Sequence, residues 1–114
     1  MDGAAAAGAL EERFWIEGDS VSDPQLDPEC IMAFPRIGVL RSADLRDSID
    51  AAPRWASLVM ADRHLGRAGG LLVLGYIAEA TREGTAPYRV ICTSTCRPDG
   101  AGWKLVQRQQ TPAM

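Results

Sequence analysis

Apolar and polar residues alternate along much of the second half of the chain. The pattern is clearest from position 71 to position 82, where Leu72, Leu74 and Tyr76 share one face and Glu79 falls on the other. Such a period of two is typical of a strand with one buried face. Short turns rich in glycine or proline separate the segments and predict an antiparallel meander. The four long strands are predicted over 55–67, 71–82, 88–97 and 103–111.

The first half of the chain follows a different period. Ala7, Leu10 and Phe14 recur at intervals of three and four, which predicts a helix over about 4–17. We expect Glu11, Glu12 and Arg13 on the polar face of this helix, and irregular or briefly helical structure over 19–27.

A short strand over 30–34 and a second helix follow. Leu45 and Ile49 share one face of that helix, and Pro53 ends it. Helices that precede an antiparallel sheet and cover one of its faces define an α+β layer architecture. The chain of 114 residues is therefore expected to form one α+β domain over 1–114.

Composition narrows the classes of function. The net charge is −3, and no basic stripe marks a nucleic-acid interface. No apolar run approaches the roughly 20 residues that a membrane span requires. The alanine-rich start carries Asp2 where a secretory signal has basic residues. We therefore expect a cytoplasmic protein that contacts neither nucleic acid nor membrane.

Metal and cofactor chemistry also has little support. Cys92 and Cys96 are four residues apart in a predicted strand, about 13 Å, which is too far for a disulfide or for chelation of one metal. His64 is the single histidine, so a histidine-rich metal site is excluded. The glycines between positions 66 and 70 lack the lysine of a phosphate-binding loop. No metal and no cofactor are expected.

The last strand begins apolar and ends polar. Trp103 and Leu105 share a face with Gln107 and Gln109, and we expect the aromatic end of this face to point inward. The two glutamines would then reach a concave interior. Tyr76 is predicted to point inward as well, beside small residues that leave space. This pattern favours a pocket, although helix side chains could instead fill the space.

The outer face of the predicted sheet is partly apolar. Leu71, Val73 and Ile77 lie on it, and an apolar patch on a sheet surface indicates a partner. A homodimer formed through this face is the simplest interpretation.

Three segments resemble the nuclear transport factor two-like superfamily, which includes SnoaL-like polyketide cyclases and ketosteroid isomerases. They are the helix end over 14–19, the strand and turn over 30–38, and the last hairpin over 97–111, with its Gly-Trp-Lys-Leu-Val sequence. The resemblance implies a cystatin-like cone, in which a curved antiparallel sheet of about four long strands and a short one wraps around N-terminal helices. It also implies a pocket at the open end and, in many members, a homodimer.

This chain differs from the family at the positions of the family's catalytic residues. Ketosteroid isomerases have a catalytic aspartate at the position that corresponds here to Phe34, before Pro35. Related proteins have a histidine or an acid near the positions of Gln107 and Gln109. Neutral amides cannot exchange protons near pH 7, so the usual catalytic groups of these enzymes are absent from these positions.

These observations predict a binding protein for a small hydrophobic or amphipathic ligand. One alternative is an isomerase, cyclase or dehydratase that acts on a hydrophobic carbonyl compound with Tyr76 or His64 as the proton group. Another is a dimeric interaction module without a ligand. The predicted ligand-binding residues are Trp15, Met32, Trp55, Tyr76, Cys92, Gln107 and Gln109.

Overall fold

Six strands form one curved sheet in the computed structural model, which describes residues 3–18, 25–100 and 102–113. Most of the segment predicted as irregular, 19–27, therefore lies outside the described residues. The elements are α1 (Gly3–Glu17), β1 (Leu26–Phe34), β2 (Gly38–Arg41), α2 (Ser42–Ala51), β3 (Ser57–Ala68), β4 (Leu71–Thr81), β5 (Tyr88–Asp99) and β6 (Gly102–Pro112).

The strand order is β2-β1-β6-β5-β4-β3. Strands β3 to β6 form the predicted antiparallel meander, and β6 then lies beside β1, with which it pairs in parallel. The sheet is therefore mixed, and β2 is a strand that the sequence pattern did not predict. The predicted α+β class and cystatin-like architecture are confirmed.

The alternation predicted for β4 is present in the structure. Leu72, Leu74 and Tyr76 are buried beneath α1, whereas Leu71 and Val73 are exposed on the opposite face. Helix α2 covers β1 and β2, and its Leu45 and Ile49 are buried as predicted. Neither helix in the described ranges is long and apolar enough to cross a membrane.

Helix α1 faces the sheet with a polar residue in its contact surface. Glu11 is fully buried, so the prediction that it lies on the polar face is wrong. Glu11 precedes Phe14 by three residues and Trp15 by four, which places all three on one side of the helix. The buried side of α1 is thus centred on Glu11, Phe14 and Trp15.

Strand β6 contains a β-bulge that reverses its alternation. Thr95 pairs with Gln107 and Cys96 pairs with Leu105, so Val106 is an extra residue on β6. Leu105 and Arg108 both point inward although they are three residues apart. The prediction that Gln107 and Gln109 point inward with Leu105 is wrong for this reason: beyond the bulge they occupy the outer face.

Candidate functional site

A cavity of about 260 Å³ lies between the C-terminal ends of α1 and α2 and the strands β1, β5 and β6. Its wall is largely aromatic and aliphatic, and the polar side chains among its described lining residues are three arginines, one serine and one glutamine. The apolar lining includes Phe14, Trp15, Phe34, Ile49, Trp55 and Tyr88. The polar lining includes Ser48, Arg54, Arg82, Arg108 and Gln110.

One wall is a stack of aromatic rings. The Trp55 and Tyr88 rings are nearly parallel, with an interplanar angle of 8° and centroids 5.5 Å apart. The Arg82 guanidinium lies 4.3 Å from the centroid of the Trp55 ring, on which it makes a cation–π contact. Trp15 packs against Tyr88 at a tilted 49° and 6.3 Å. These contacts hold flat rings around the cavity.

The floor of the cavity is a buried ion pair. Arg108 Nη2 donates to Glu11 Oε2 at 2.7 Å, and both side chains are enclosed. The guanidinium also lies over the rings of Phe14 and Trp15, at 4.6 Å and 5.5 Å. Burial, the largest single influence, lowers the pKa of Arg108, but the neighbouring groups, with the charge of Glu11 first among them, together raise the pKa above its ordinary value. Arg108 is therefore a fixed positive charge.

The second oxygen of Glu11 connects this ion pair to the sheet. Glu11 Oε1 accepts hydrogen bonds from Ser94 Oγ and, at 2.8 Å, from Tyr76 Oη. Tyr76 Oη in turn accepts a bond from Trp15 Nε1 at 2.9 Å. Burial raises the pKa of Tyr76 well above its ordinary value. Tyr76 thus belongs to a buried chain of hydrogen bonds with Trp15 and Glu11, and it does not line this cavity.

The mouth of the cavity contains a further arginine. Arg54 Nη1 donates to the carbonyl oxygen of Ile49 at 3.1 Å, and its guanidinium lies against Gly18 at the end of α1. A Cβ at position 18 would be 2.7 Å from the Arg54 Cζ, and Gly18 has a φ of +71°. The backbone conformation therefore favours glycine at position 18, and a side chain there would also displace the Arg54 guanidinium.

The predicted ligand-binding residues are only partly brought together. Trp15 and Trp55 line the cavity. Tyr76 lies behind its wall, and Met32 and Cys92 are fully buried in the core. The last two predicted residues are on the outer face: Gln107 donates to Thr95 Oγ1 at 2.9 Å and Gln109 to Thr93 Oγ1 at 3.0 Å.

His64 does not contribute to the cavity between α1, α2 and the sheet. Its side chain on β3 is 74% exposed, and its Nε2 is 2.9 Å from Asp62 Oδ1. It borders a second cavity of about 280 Å³ near the start of α1, and Tyr76 lines that cavity as well. His64 is not among the described residues that line the first cavity.

Two central residues of the site, Glu11 and Arg108, were missed from the sequence. The spacing of Glu11 from Phe14 and Trp15 was a usable signal, because it puts a carboxylate on the aromatic side of α1. Arg108 had no comparable signal, since its direction depends on the bulge at Val106. No group of three or more His, Cys, Asp or Glu side chains in the described ranges could hold a metal ion.

No family model matches this sequence, and no curated protein matches it. Several solved structures, however, are similar to this chain in fold. A nuclear transport factor two-like protein of unknown function from Prochlorococcus marinus superposes with a TM-score of 0.79 at 15% identity, over 100% of this chain and 95% of the other. A protein from Parabacteroides distasonis that was suggested to be a ketosteroid isomerase gives 0.77 at 17% identity, over 94% and 85%.

The CamKII hub homology domain from Chlamydomonas reinhardtii is a third structural neighbour. Its TM-score is 0.73 at 14% identity, and the match covers 99% of this chain and 100% of the other. Similarities at this level of identity concern the fold. The chain has the nuclear transport factor two-like fold, and the resemblance predicted from its sequence is confirmed.

Proposed function

We propose that this protein binds a small, largely apolar molecule in the cavity between α1, α2 and the sheet. The observation that carries this proposal is a cavity walled by stacked aromatic rings and connected to the surface. Ligand pockets are typically mostly apolar, with a few polar groups that fix orientation. At about 260 Å³ this cavity is slightly smaller than the roughly 300–1,000 Å³ typical of ligand sites. The ligand is accordingly small.

The lining supports binding over proton transfer. The titratable side chains among the described lining residues are three arginines and Tyr88. Burial raises the pKa of Tyr88, so its phenol keeps its proton near neutral pH. The isomerase, cyclase or dehydratase alternative needs a group that exchanges protons at the cavity. Neither Tyr76 nor His64 supplies one there, for the reasons given above.

The binding proposal is tested by filling the cavity. Ala51 and Ala52 are both exposed, but only Ala52 lines the cavity. We expect Ala52→Phe to abolish the thermal shift and the chemical-shift changes that small aromatic compounds cause in the wild-type protein. Ala51→Phe is the matched control and should bind like the wild type. If no compound in the panel binds the wild-type protein, or if Ala52→Phe binds as well as Ala51→Phe, the proposal is wrong.

A second candidate property is self-association through the outer sheet face. Val59, Val73 and Ile91 are exposed there at 64%, 38% and 47%. An exposed apolar surface of this kind on a sheet favours a partner. We propose a homodimer in which this face packs against its copy.

A further inference from the structure

Among the described residues, the lining of this cavity carries more positive charge than neighbouring carboxylates balance. Arg54, Arg82 and Arg108 line it, and no aspartate or glutamate is among its described lining residues. Glu11, beneath the floor, compensates Arg108. Arg54 and Arg82 donate to backbone carbonyl groups and have no carboxylate partner in the described ranges. Two positive charges at the mouth are therefore available to an anion.

Arg108 also retains hydrogen-bonding capacity. Its Nη2 donates to Glu11, and its Nε donates to Ser94 at 3.4 Å. None of the hydrogen bonds that Arg108 makes with described residues uses its Nη1 amino group. Arg108 also lines the cavity, so this amino group is the part of the guanidinium left for a ligand.

The residues around Arg108 favour strong hydrogen bonds from its guanidinium group to a ligand. Glu11, Phe14 and Trp15 hold the guanidinium in place, so an incoming group would not have to order it. Charge-assisted hydrogen bonds from arginine are strong, and a largely apolar environment strengthens them further. A planar carboxylate suits the planar guanidinium group. The aromatic stack of Trp55 and Tyr88 suits a flat apolar body.

We infer that the ligand of this cavity is a small aromatic carboxylate whose anionic group contacts the arginines. This inference rests on the proposed function, since it names the chemical class of the molecule bound in the same cavity. The carboxylate accepts hydrogen bonds from the arginine side chains, and the ring packs among the aromatic side chains. The cavity selects the anion over the neutral amide of the same shape.

The experiment compares acids with their amides. Benzoate, trans-cinnamate and 2-naphthoate are each titrated into the full-length protein by calorimetry beside benzamide, cinnamamide and 2-naphthamide. We expect at least one acid to bind about tenfold or more tightly than its amide, as for one charged hydrogen bond. Its affinity should fall as salt is raised. Equal binding of acids and amides overturns this inference and leaves the proposed function intact, whereas no binding by any of the six compounds contradicts both.

Substitutions of the arginines test whether their side chains bind the carboxylate of the ligand. Arg82→Gln and Arg54→Gln should each weaken binding of the acid several-fold more than binding of the amide. Arg89→Gln is the matched control, because Arg89 is exposed on β5 and does not line the cavity. Arg108→Lys keeps a positive charge beside Glu11 but loses the planar donor, and we expect a loss of about tenfold for the acid. Equal effects of Arg82→Gln and Arg89→Gln on the acid would overturn the assignment.

Discussion

Glu11 on the first helix and Arg108 on the last strand form an ion pair across the core, with Oε2 and Nη2 2.7 Å apart. The carboxylate makes further hydrogen bonds with Tyr76 and Ser94. This connection joins the two ends of the chain and forms the floor of the cavity. It therefore couples the stability of the fold to the chemistry of the site.

Removal of one partner of this ion pair should be costly. We expect Arg108→Met to lower the free energy of unfolding by about 3–5 kcal/mol, because Glu11 would remain buried without its counter-charge. The double variant Glu11→Leu/Arg108→Met should recover much of this loss, since an apolar pair leaves no buried charge. Urea denaturation of both proteins provides the measurement. A single variant as stable as the wild type would contradict the structure.

The phenol of Tyr76 should contribute to stability through its two hydrogen bonds. Tyr76→Phe removes the donor to Glu11 Oε1 and the acceptor of Trp15 Nε1. We expect a loss of about 1–3 kcal/mol, since both partners are buried. Tyr88→Phe removes a partly buried hydroxyl that donates to Gln110 Oε1 at 2.8 Å, so it is the matched control and should cost less. Equal losses in thermal or urea unfolding would contradict this ranking.

Alkaline pH should destabilise the protein through its buried thiols. Burial, with a smaller contribution from the charge of Glu11, raises the pKa of Cys96 from 9.0 to about 12. A group whose pKa is raised by folding stabilises the folded state fully below its unfolded pKa and loses that contribution as pH rises. Stability should therefore fall above about pH 9, by up to about 1.4 kcal/mol per pH unit.

Substitution of this thiol provides the test of the alkaline effect. Cys96→Ala should flatten the decline in the urea midpoint between pH 8 and pH 11. The small cavity that it leaves should lower stability equally at every pH. An alkaline slope identical to that of the wild type would show that Cys96 does not cause the decline.

The proposed homodimer predicts a sensitive position on the outer face. Ile91 is exposed at the centre of this face, opposite Ile77 on β4. Ile91→Lys should convert a dimer to a monomer, because the interface would have to bury an unpaired charge. Thr85→Lys adds the same charge in the exposed turn between β4 and β5 and should leave the dimer intact. Sedimentation velocity distinguishes the two, and a monomeric wild type would contradict the proposal.

The sequence was most informative where packing imposes a simple period. On β4, every second residue from Leu72 to Ala80 is buried, because that face of the sheet points into the core and the other face is exposed. The four strands of the meander begin and end within a few residues of the predicted positions, because turns rich in glycine or proline separate them. Strand β2 has four residues, and its exposed Val39 leaves no one-sided pattern to detect.

The site was less predictable because it depends on contacts between distant residues. Glu11 is buried only because Arg108 is present, 97 residues away in the chain. Arg108 points inward because Val106 has no partner on β5. If every residue of β6 were regularly paired, Arg108 would lie three residues from the inward Leu105 and would face outward. Trp15 and Trp55 were found because large aromatic side chains near helix and strand ends tend to be at least partly buried. The assignment of Gln107 and Gln109 failed because it assumed an unbroken strand.

The bulge in β6 also makes this strand tolerant of a change in length. Loss of one residue from a regular strand turns every later side chain to the opposite face. Without Val106, however, Arg108 would be two residues from Leu105, and Gln107 could still pair with Thr95. The same arginine would point into the same cavity. At this position the chain can lose a residue during evolution and keep the charge that defines its interior.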